Sequence, residues 1–222
     1  MNLCLFDLDH TLLPLDSDHE FGEFLIRVGL ADPVNHRARN DAFYQQYVDG
    51  TLVLDDYIAF TTSVWRDLDA EQQRALQDRF MDEVIHPALQ PQALELVRQH
   101  QARGDLVAIV TATNEFVTRP IADAFGVPDL IAVKLVRDAQ GRVTGEIDGV
   151  PSFREGKITR VDEWLAQRGQ SIADFERVSF YSDSPNDLPL LYRATDPVAT
   201  NPSPALQAEA QARGWRLLYL FS

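Results

Sequence analysis

The sequence predicts a doubly wound α/β fold, a parallel sheet with helices on its faces and a helical cap inserted after the first strand. Three observations carry that expectation. Short apolar, strand-like runs recur at residues 3–6, 106–110 and 178–181, and each ends in a polar cluster. Strand-like and helix-like stretches alternate through the second half of the chain, as right-handed crossovers require. Between the first run and the second lies a stretch of roughly seventy residues with helical periodicity alone.

The first run, Leu3-Cys4-Leu5-Phe6, leads directly into Asp7-Leu8-Asp9-His10-Thr11. A parallel strand that ends in acids sets them at the carboxyl edge of the sheet, where open α/β sheets bind ligands. Pro14, Asp16 and Ser17 mark a turn into a helix whose apolar face is Phe21, Phe24, Leu25 and Val28, closed by Gly29. From Pro33 to about Pro87 the pattern stays helical. Its stripes are Phe43, Tyr44, Tyr47 and Val48; then Tyr57, Ile58, Phe60 and Val64; then Leu76, Phe80, Val84 and Ile85. We take these aromatic stripes as packed core, because apolar residues at helical spacing bury one face. Residues 15–87 are thus expected as the cap, and 1–14 with 88–222 as a Rossmann-like core.

Residues 91–103 predict a helix stopped by Gly104. Residues 106–110 predict a strand ending at Thr111-Ala112-Thr113-Asn114, and 115–125 a helix stopped by Gly126-Val127-Pro128. Residues 130–136 and 142–147, joined by a turn at 138–141, predict a hairpin. A helix is expected over 155–167, a strand over 178–181 and a short helix over 188–193. A strand at 197–200, a helix at 204–213 and a last strand at 215–220 complete the alternation.

Composition narrows the function. The chain has 222 residues, 45% of them apolar, enough for one α/β core with a sizeable insertion. It carries 34 acids against 20 lysines and arginines, a net charge of −14, which disfavours nucleic acid and anionic membranes. An anionic ligand would have to be received locally, by a metal, backbone N–H groups and a placed cation. The one cysteine, Cys4, falls inside the first strand and is expected to be buried and inert. Without a second cysteine no intramolecular disulfide forms, which suits a cytoplasmic protein. No run has the pattern of a secretory signal or the length of a membrane span.

Four clusters fall at one edge of the predicted sheet: Asp7 with Asp9; Thr111; Lys157; and Asp183 with Asp187. Together they are the parts that phosphoryl transfer needs. One aspartate can be the nucleophile and a second the proton donor and water activator. Two carboxylates and a carbonyl suffice for Mg2+, a hard cation that keeps several waters. Thr111 offers a hydroxyl, and the loop after it offers N–H groups to a phosphate. Lysine also stands out by rarity. Lys134 and Lys157 are two of the 20 basic residues, the rest being arginine, so a lysine at 157 marks a place where arginine would not serve.

The chain resembles the haloacid dehalogenase superfamily over most of its length. Asp7-Leu8-Asp9-His10-Thr11 matches the first motif of that family, Ile109-Val110-Thr111 the second, Lys157 the third, and Tyr181-Ser182-Asp183-Ser184-Pro185-Asn186-Asp187 the fourth. A helical insertion between the first and second motifs is similar to the cap of its phosphoserine phosphatase branch, as are Asn201-Pro202-Ser203-Pro204-Ala205-Leu206 and Gly214-Trp215. The resemblance implies roles. Asp7 would be the nucleophile and a Mg2+ ligand, and Asp9 the acid/base with its backbone carbonyl on the metal. Asp183 would be a direct ligand, and Asp187 would act on the metal through water. Thr111 and Lys157 would hold the phosphate, with Asn186 supporting that loop. The second acid, Asp9, argues for phosphate monoester hydrolysis, since dehalogenating relatives need no proton donor there. The second motif departs from the phosphoserine branch, where Ser-Gly-Gly stands in place of Thr111-Ala112-Thr113.

For the leaving group, Asp16, Asp18 and Glu20, beside His19, suggest a pocket for a cationic group, against the plainer reading of a solvated helix start. Phosphoserine would need an acid and an arginine, with Arg27, Arg37, Arg39 and Arg66 as candidates. Histidinol phosphate, with an amine and an imidazole but no carboxylate, would suit acids alone. The segments Asp16-Ser17-Asp18-His19 and Arg39-Asn40-Asp41-Ala42-Phe43-Tyr44 are similar to a bacterial group of this branch associated with histidinol-phosphate hydrolysis. A phosphotransferase passing the group to an alcohol fits the same motifs. A receiver module phosphorylated as a switch uses similar residues, but with its acceptor aspartate apart from the acid pair and no long insertion.

Overall fold

A computed structural model describes residues 1–221. Strand β1, Leu3–Phe6, lies at the middle of a six-stranded parallel sheet of order β3-β2-β1-β6-β7-β8. Its neighbours are β2, Leu106–Asn114, and β6, Val178–Ser182, with Leu3 in register with both Leu106 and Val178. Strand β3, Asp129–Val133, forms one edge; β7, Asp196–Thr200, and β8, Arg216–Leu218, extend the other side. A central strand buried on both faces needs apolar residues throughout, not alternation. In β1, Cys4 and Phe6 enter one core cluster, Leu3 and Leu5 the other, and all four are fully buried. Burial pushes the Cys4 thiol well above its usual range, so it stays neutral.

Between β1 and β2 run α1 (Ser17–Arg27), α2 (Asn35–Val48), α3 (Leu54–Thr62), α4 (Ala70–Phe80), the short α5 (His86–Ala88) and α6 (Pro91–Ala102). A wide π-turn at Met81–Ile85 joins α4 to α5. Helix α7 is Glu115–Ala124, α8 Glu155–Ala166, α9 Leu188–Leu191 and α10 Pro204–Arg213. No helix among the described residues is long and apolar enough to cross a membrane.

The doubly wound parallel sheet is as the sequence predicts. One expected element divides. The first arm of the hairpin serves two sheets: β3 joins β2 in parallel, and β4, Leu135–Arg137, pairs antiparallel with β5, Val143–Ile147. The change of partner falls at Lys134, whose carbonyl accepts from the Asp148 N–H at 2.9 Å. A run that stays strand-like across such a switch leaves no mark in its side-chain pattern.

The closest approach within the insertion depends on Gly22. A Cβ there would come within 2.5 Å of Asn40 Nδ2. Asn40 is held in place by its bond to the His19 carbonyl at 2.9 Å and is almost fully buried. Gly22→Ala therefore sets an overpacking cost of about 1–3 kcal/mol against a helix-propensity gain of about 1 kcal/mol. The expected result is a lower unfolding temperature; an unchanged or raised one contradicts this packing.

Candidate active site

The polar edge is built where β1, β2 and β6 end. Asp7 follows β1 directly, and its N–H donates to the Tyr181 carbonyl at 2.9 Å. The chain then turns sharply: the N–H groups of Leu12 and Leu13 donate to the Leu8 carbonyl at 2.8 and 3.0 Å, and His10 takes a left-handed conformation with φ 55°. Asn201 braces this turn, its Nδ2 donating to the carbonyls of His10 and Thr11, while its Oδ1 accepts from the Leu220 N–H at 2.7 Å.

Lys157 reaches the edge from the first turn of α8. The turn before it needs a glycine, since a Cβ on Gly156 would meet the Pro151 carbonyl oxygen at 2.1 Å. The ammonium, almost fully buried, donates to Asp7 Oδ1 at 2.7 Å and to Asp187 Oδ2 at 2.8 Å. Ser182 Oγ also donates to Asp187 Oδ2, at 2.7 Å. The Thr11 hydroxyl accepts from the Asp183 N–H at 3.0 Å and stands 3.3 Å from both Asp7 Oδ2 and Asp183 Oδ1. Asp9 is held on both oxygens: the Ser17 N–H donates to Oδ1 at 2.7 Å and Thr113 Oγ1 to Oδ2 at 2.9 Å. The Thr113 N–H donates to Thr111 Oγ1 at 3.1 Å, which leaves the Thr111 hydroxyl proton to donate elsewhere. Strand β2 runs on through these threonines, and Asn114 rather than Thr111 caps α7.

This edge is crowded with negative charge. Burial raises the Asp7 carboxyl above its usual range while Lys157 opposes the shift. Burial and then the nearby Asp16 raise Asp9 to about 6. Asp183 is raised well above the usual range by burial and by the like charges of Asp7 and Asp187. Among the described residues, Lys157 is the one cation paired with any of Asp7, Asp9, Asp183 and Asp187. One hydroxyl proton on Thr11 cannot serve Asp7 and Asp183 together. The set therefore fits a hard divalent cation: two carboxylates converge with oxygen donors and excess negative charge. Among the described residues no group of three or more His, Cys, Asp or Glu side chains is placed to hold a metal ion, so the candidate site rests on two carboxylates and other oxygen donors.

A cavity opens over Asp7, Asp9 and Thr111 and reaches the insertion at Asp16, Asp18, Tyr44 and Tyr57. Asp16 both lines it and caps α1, accepting from the N–H groups of Asp18 and His19 at 3.1 and 2.8 Å. Asp18 is buried, with Asn114 Nδ2 3.5 Å away, and burial together with the nearby Asp16 raises its carboxyl well above the usual range. Glu20 and Asn186 are not among the described residues that line this cavity; Asn186 lies beside it, its Nδ2 donating to the Tyr47 carbonyl at 3.3 Å. The first aromatic stripe meets the expectation of a packed core only in part: Phe43 packs against Tyr57 and Phe60, while the stripe also faces the cavity. Phe43, Tyr44 and Tyr47 of α2 line the cavity, and the buried residues of that helix are His36 and Asn40. The four candidate arginines are all engaged elsewhere. Arg37 pairs with Glu23 at 2.9 Å and Arg27 with Glu83 at 3.6 Å. Arg39 lies over the Phe60 ring, and Arg66 donates to the Thr144 carbonyl at 3.0 Å. No arginine is among the described residues lining the cavity.

Sequence reasoning left Thr11, Ser17, Thr113 and Asn201 without a role. Thr11 and Thr113 carry a signal, each standing two residues beyond a site residue; Ser17 acts through its backbone N–H, which no side chain announces, and Asn201 through bonds across the fold that spacing does not show.

Comparison with known proteins gives the family and the fold. The family described as haloacid dehalogenase-like hydrolase matches residues 4–192. A histidinol-phosphatase of Neisseria meningitidis serogroup C (strain 8013) is 41% identical over 217 residues, covering 98% of each chain. A Bordetella pertussis Tohama I protein of unknown function superposes with a TM-score of 0.94 at 51% identity, over 99% of each chain. A substrate-bound phosphoserine phosphatase shares the fold, with a TM-score of 0.69 at 18% identity over 98% of this chain and 92% of its own.

Proposed function

The chain belongs to the haloacid dehalogenase-like hydrolases and is a phosphoric monoester hydrolase among them, and on that footing we propose that it hydrolyses histidinol phosphate through an aspartyl-phosphate on Asp7. The Asp7 carboxylate attacks phosphorus, with its other oxygen facing Asp183 across Thr11. Lys157 orients Asp7 and offers positive charge to the phosphoryl oxygens; Asp187 and Ser182 hold Lys157 in turn. The Thr111 hydroxyl, its own oxygen occupied by the Thr113 N–H, donates to the phosphate. Asp9 gives its proton to the leaving oxygen and then takes one from water. Asp7, Asp183 and the Asp9 carbonyl would hold Mg2+, with Asp187 behind them; when bound, the ion supplies charge that stabilises the phosphoryl oxygens.

In this reading residues 15–87 act as a cap that excludes water. Tyr44 Oη lies 3.3 Å from His10 Nε2, Asn186 Nδ2 donates to the Tyr47 carbonyl, and Arg154 bonds to the Gly50 carbonyl, so the insertion is tied to the core at several separate points.

One observation carries the substrate: the cavity presents Asp16 and Asp18 among aromatic rings, with no arginine among the described residues that line it. That chemistry receives an ammonium and a planar imidazole and leaves a substrate carboxylate without a partner. The 41% identity to the Neisseria protein named as a histidinol-phosphatase supports the same substrate. Asp16→Asn tests it, because asparagine still caps α1 while the charge is lost. The KM for histidinol phosphate is expected to rise by about tenfold, as for one charged hydrogen bond, and that for p-nitrophenyl phosphate much less. Equal effects, or wild-type preference for phosphoserine over histidinol phosphate, overturn the assignment.

A further inference from the structure

We propose that Thr113 is a positioning residue for the acid/base, its hydroxyl fixing the Asp9 carboxyl in the orientation from which it protonates the leaving oxygen. The proposal rests on the reading of Asp9 given above. Asp9 stands inside the sharp turn that follows β1, and its side chain receives no help from that strand. Its two oxygens are held from different parts of the fold: Oδ1 by the first N–H of α1 at 2.7 Å, and Oδ2 by Thr113 at 2.9 Å. The backbone bond survives any side-chain change. The Thr113 bond is the one that a substitution removes, and with it the constraint on rotation of the carboxyl plane.

Thr113 is also placed to align two events. Its N–H fixes the Thr111 hydroxyl that faces the phosphate, and its own hydroxyl fixes the acid that faces the leaving group. It is 5% exposed and lines the cavity that the ester would fill, so with substrate in place little water reaches its hydroxyl. A residue without a hydroxyl at this position would leave Asp9 Oδ2 with no donor from the protein.

The step concerned is the first. As the Asp7 oxygen bonds to phosphorus, the bond from phosphorus to the leaving oxygen breaks and its electron pair stays on that oxygen. The Asp9 proton moves onto it, and the alcohol departs. A misdirected Asp9 harms this step in proportion to how much the leaving oxygen needs the proton. A p-nitrophenolate departs without one; unsubstituted phenolate and alkoxides do not.

The test is kcat/KM for a series of aryl phosphates from p-nitrophenyl to phenyl phosphate with Mg2+, since kcat/KM reports the step that expels the phenol. In Thr113→Val, the loss for phenyl phosphate is expected to exceed that for p-nitrophenyl phosphate by at least about tenfold, a part of the roughly 10²–10⁴-fold that a well-placed general acid contributes. Thr113→Ser restores the wild-type ratio, and Thr113→Ala repeats the valine result should valine disturb the packing. Asp9→Asn is the reference and shows the same leaving-group-selective loss. Selective loss in Asp9→Asn with equal losses across the series in both Thr113→Val and Thr113→Ala overturns the role of Thr113 and leaves the phosphatase reading standing. Absence of selectivity in Asp9→Asn removes the assigned role of Asp9 and this proposal with it.

Discussion

Asp7→Asn is expected to abolish turnover while the fold persists. The amide is a poor nucleophile, and loss of a covalent nucleophile that acts with its partners as a unit costs at least about ten-thousand-fold in kcat. The carboxamide keeps the volume of the side chain, so Lys157 still has an acceptor at Asp7 Oδ1 and keeps its second partner, Asp187. Substrate should therefore still bind, and far-ultraviolet circular dichroism and thermal unfolding should stay close to wild type. Steady-state phosphate release with Mg2+ measures the loss. Residual activity within about a hundredfold of wild type would remove Asp7 as the nucleophile.

Lys157→Met is expected to harm both stability and catalysis. The ammonium is 2% exposed and bonded to two carboxylates that are themselves buried. Those carboxylates raise its proton affinity against the opposing effect of burial. Removing it leaves Asp7 and Asp187 as buried like charges, a cost of about 3–5 kcal/mol, which for a chain of this size lowers the unfolding temperature on the order of 10 °C. Methionine fills much the same volume, so lost packing adds little. Activity falls as well, because Asp7 loses its orientation and the phosphoryl group a positive charge. A variant as stable as wild type would mean that the buried triad of Lys157, Asp7 and Asp187 does not form.

How far the letters disclose this arrangement depends on what each feature needs. The central strand and its acids were legible because Leu3–Phe6 must be apolar on both faces and must then stop at a polar edge. Lys157 stood out because the chain writes arginine nearly everywhere else. The switch of partner at Lys134 was not legible, since both halves of the arm are strand-like and differ in which sheet they join. The aromatic residues of α2 misled in part, for a related reason. Helical spacing says that Phe43, Tyr44 and Tyr47 share a face, but not whether that face meets other helices or an open cavity. The clamp on Asp9 was hidden most completely, because Ser17 and Thr113 are remote from each other in sequence and meet through the tertiary fold.

The placement of Asp16 has a similar lesson. A cap residue and a ligand for a cationic group call for the same side chain, and the structure shows the two uses to be compatible: one carboxylate holds the start of α1 and faces the cavity. Neither reading had to displace the other.

The central claim is that Asp7 carries the phosphoryl group between substrate and water. Acid-quenching the enzyme during turnover of a phosphate ester with Mg2+, followed by peptide mass spectrometry, tests it most directly. The account predicts a phosphoryl group on the peptide that contains Asp7, labile to hydroxylamine and absent from Asp7→Asn. Turnover at full rate with the phosphoryl group trapped on a different residue would contradict it.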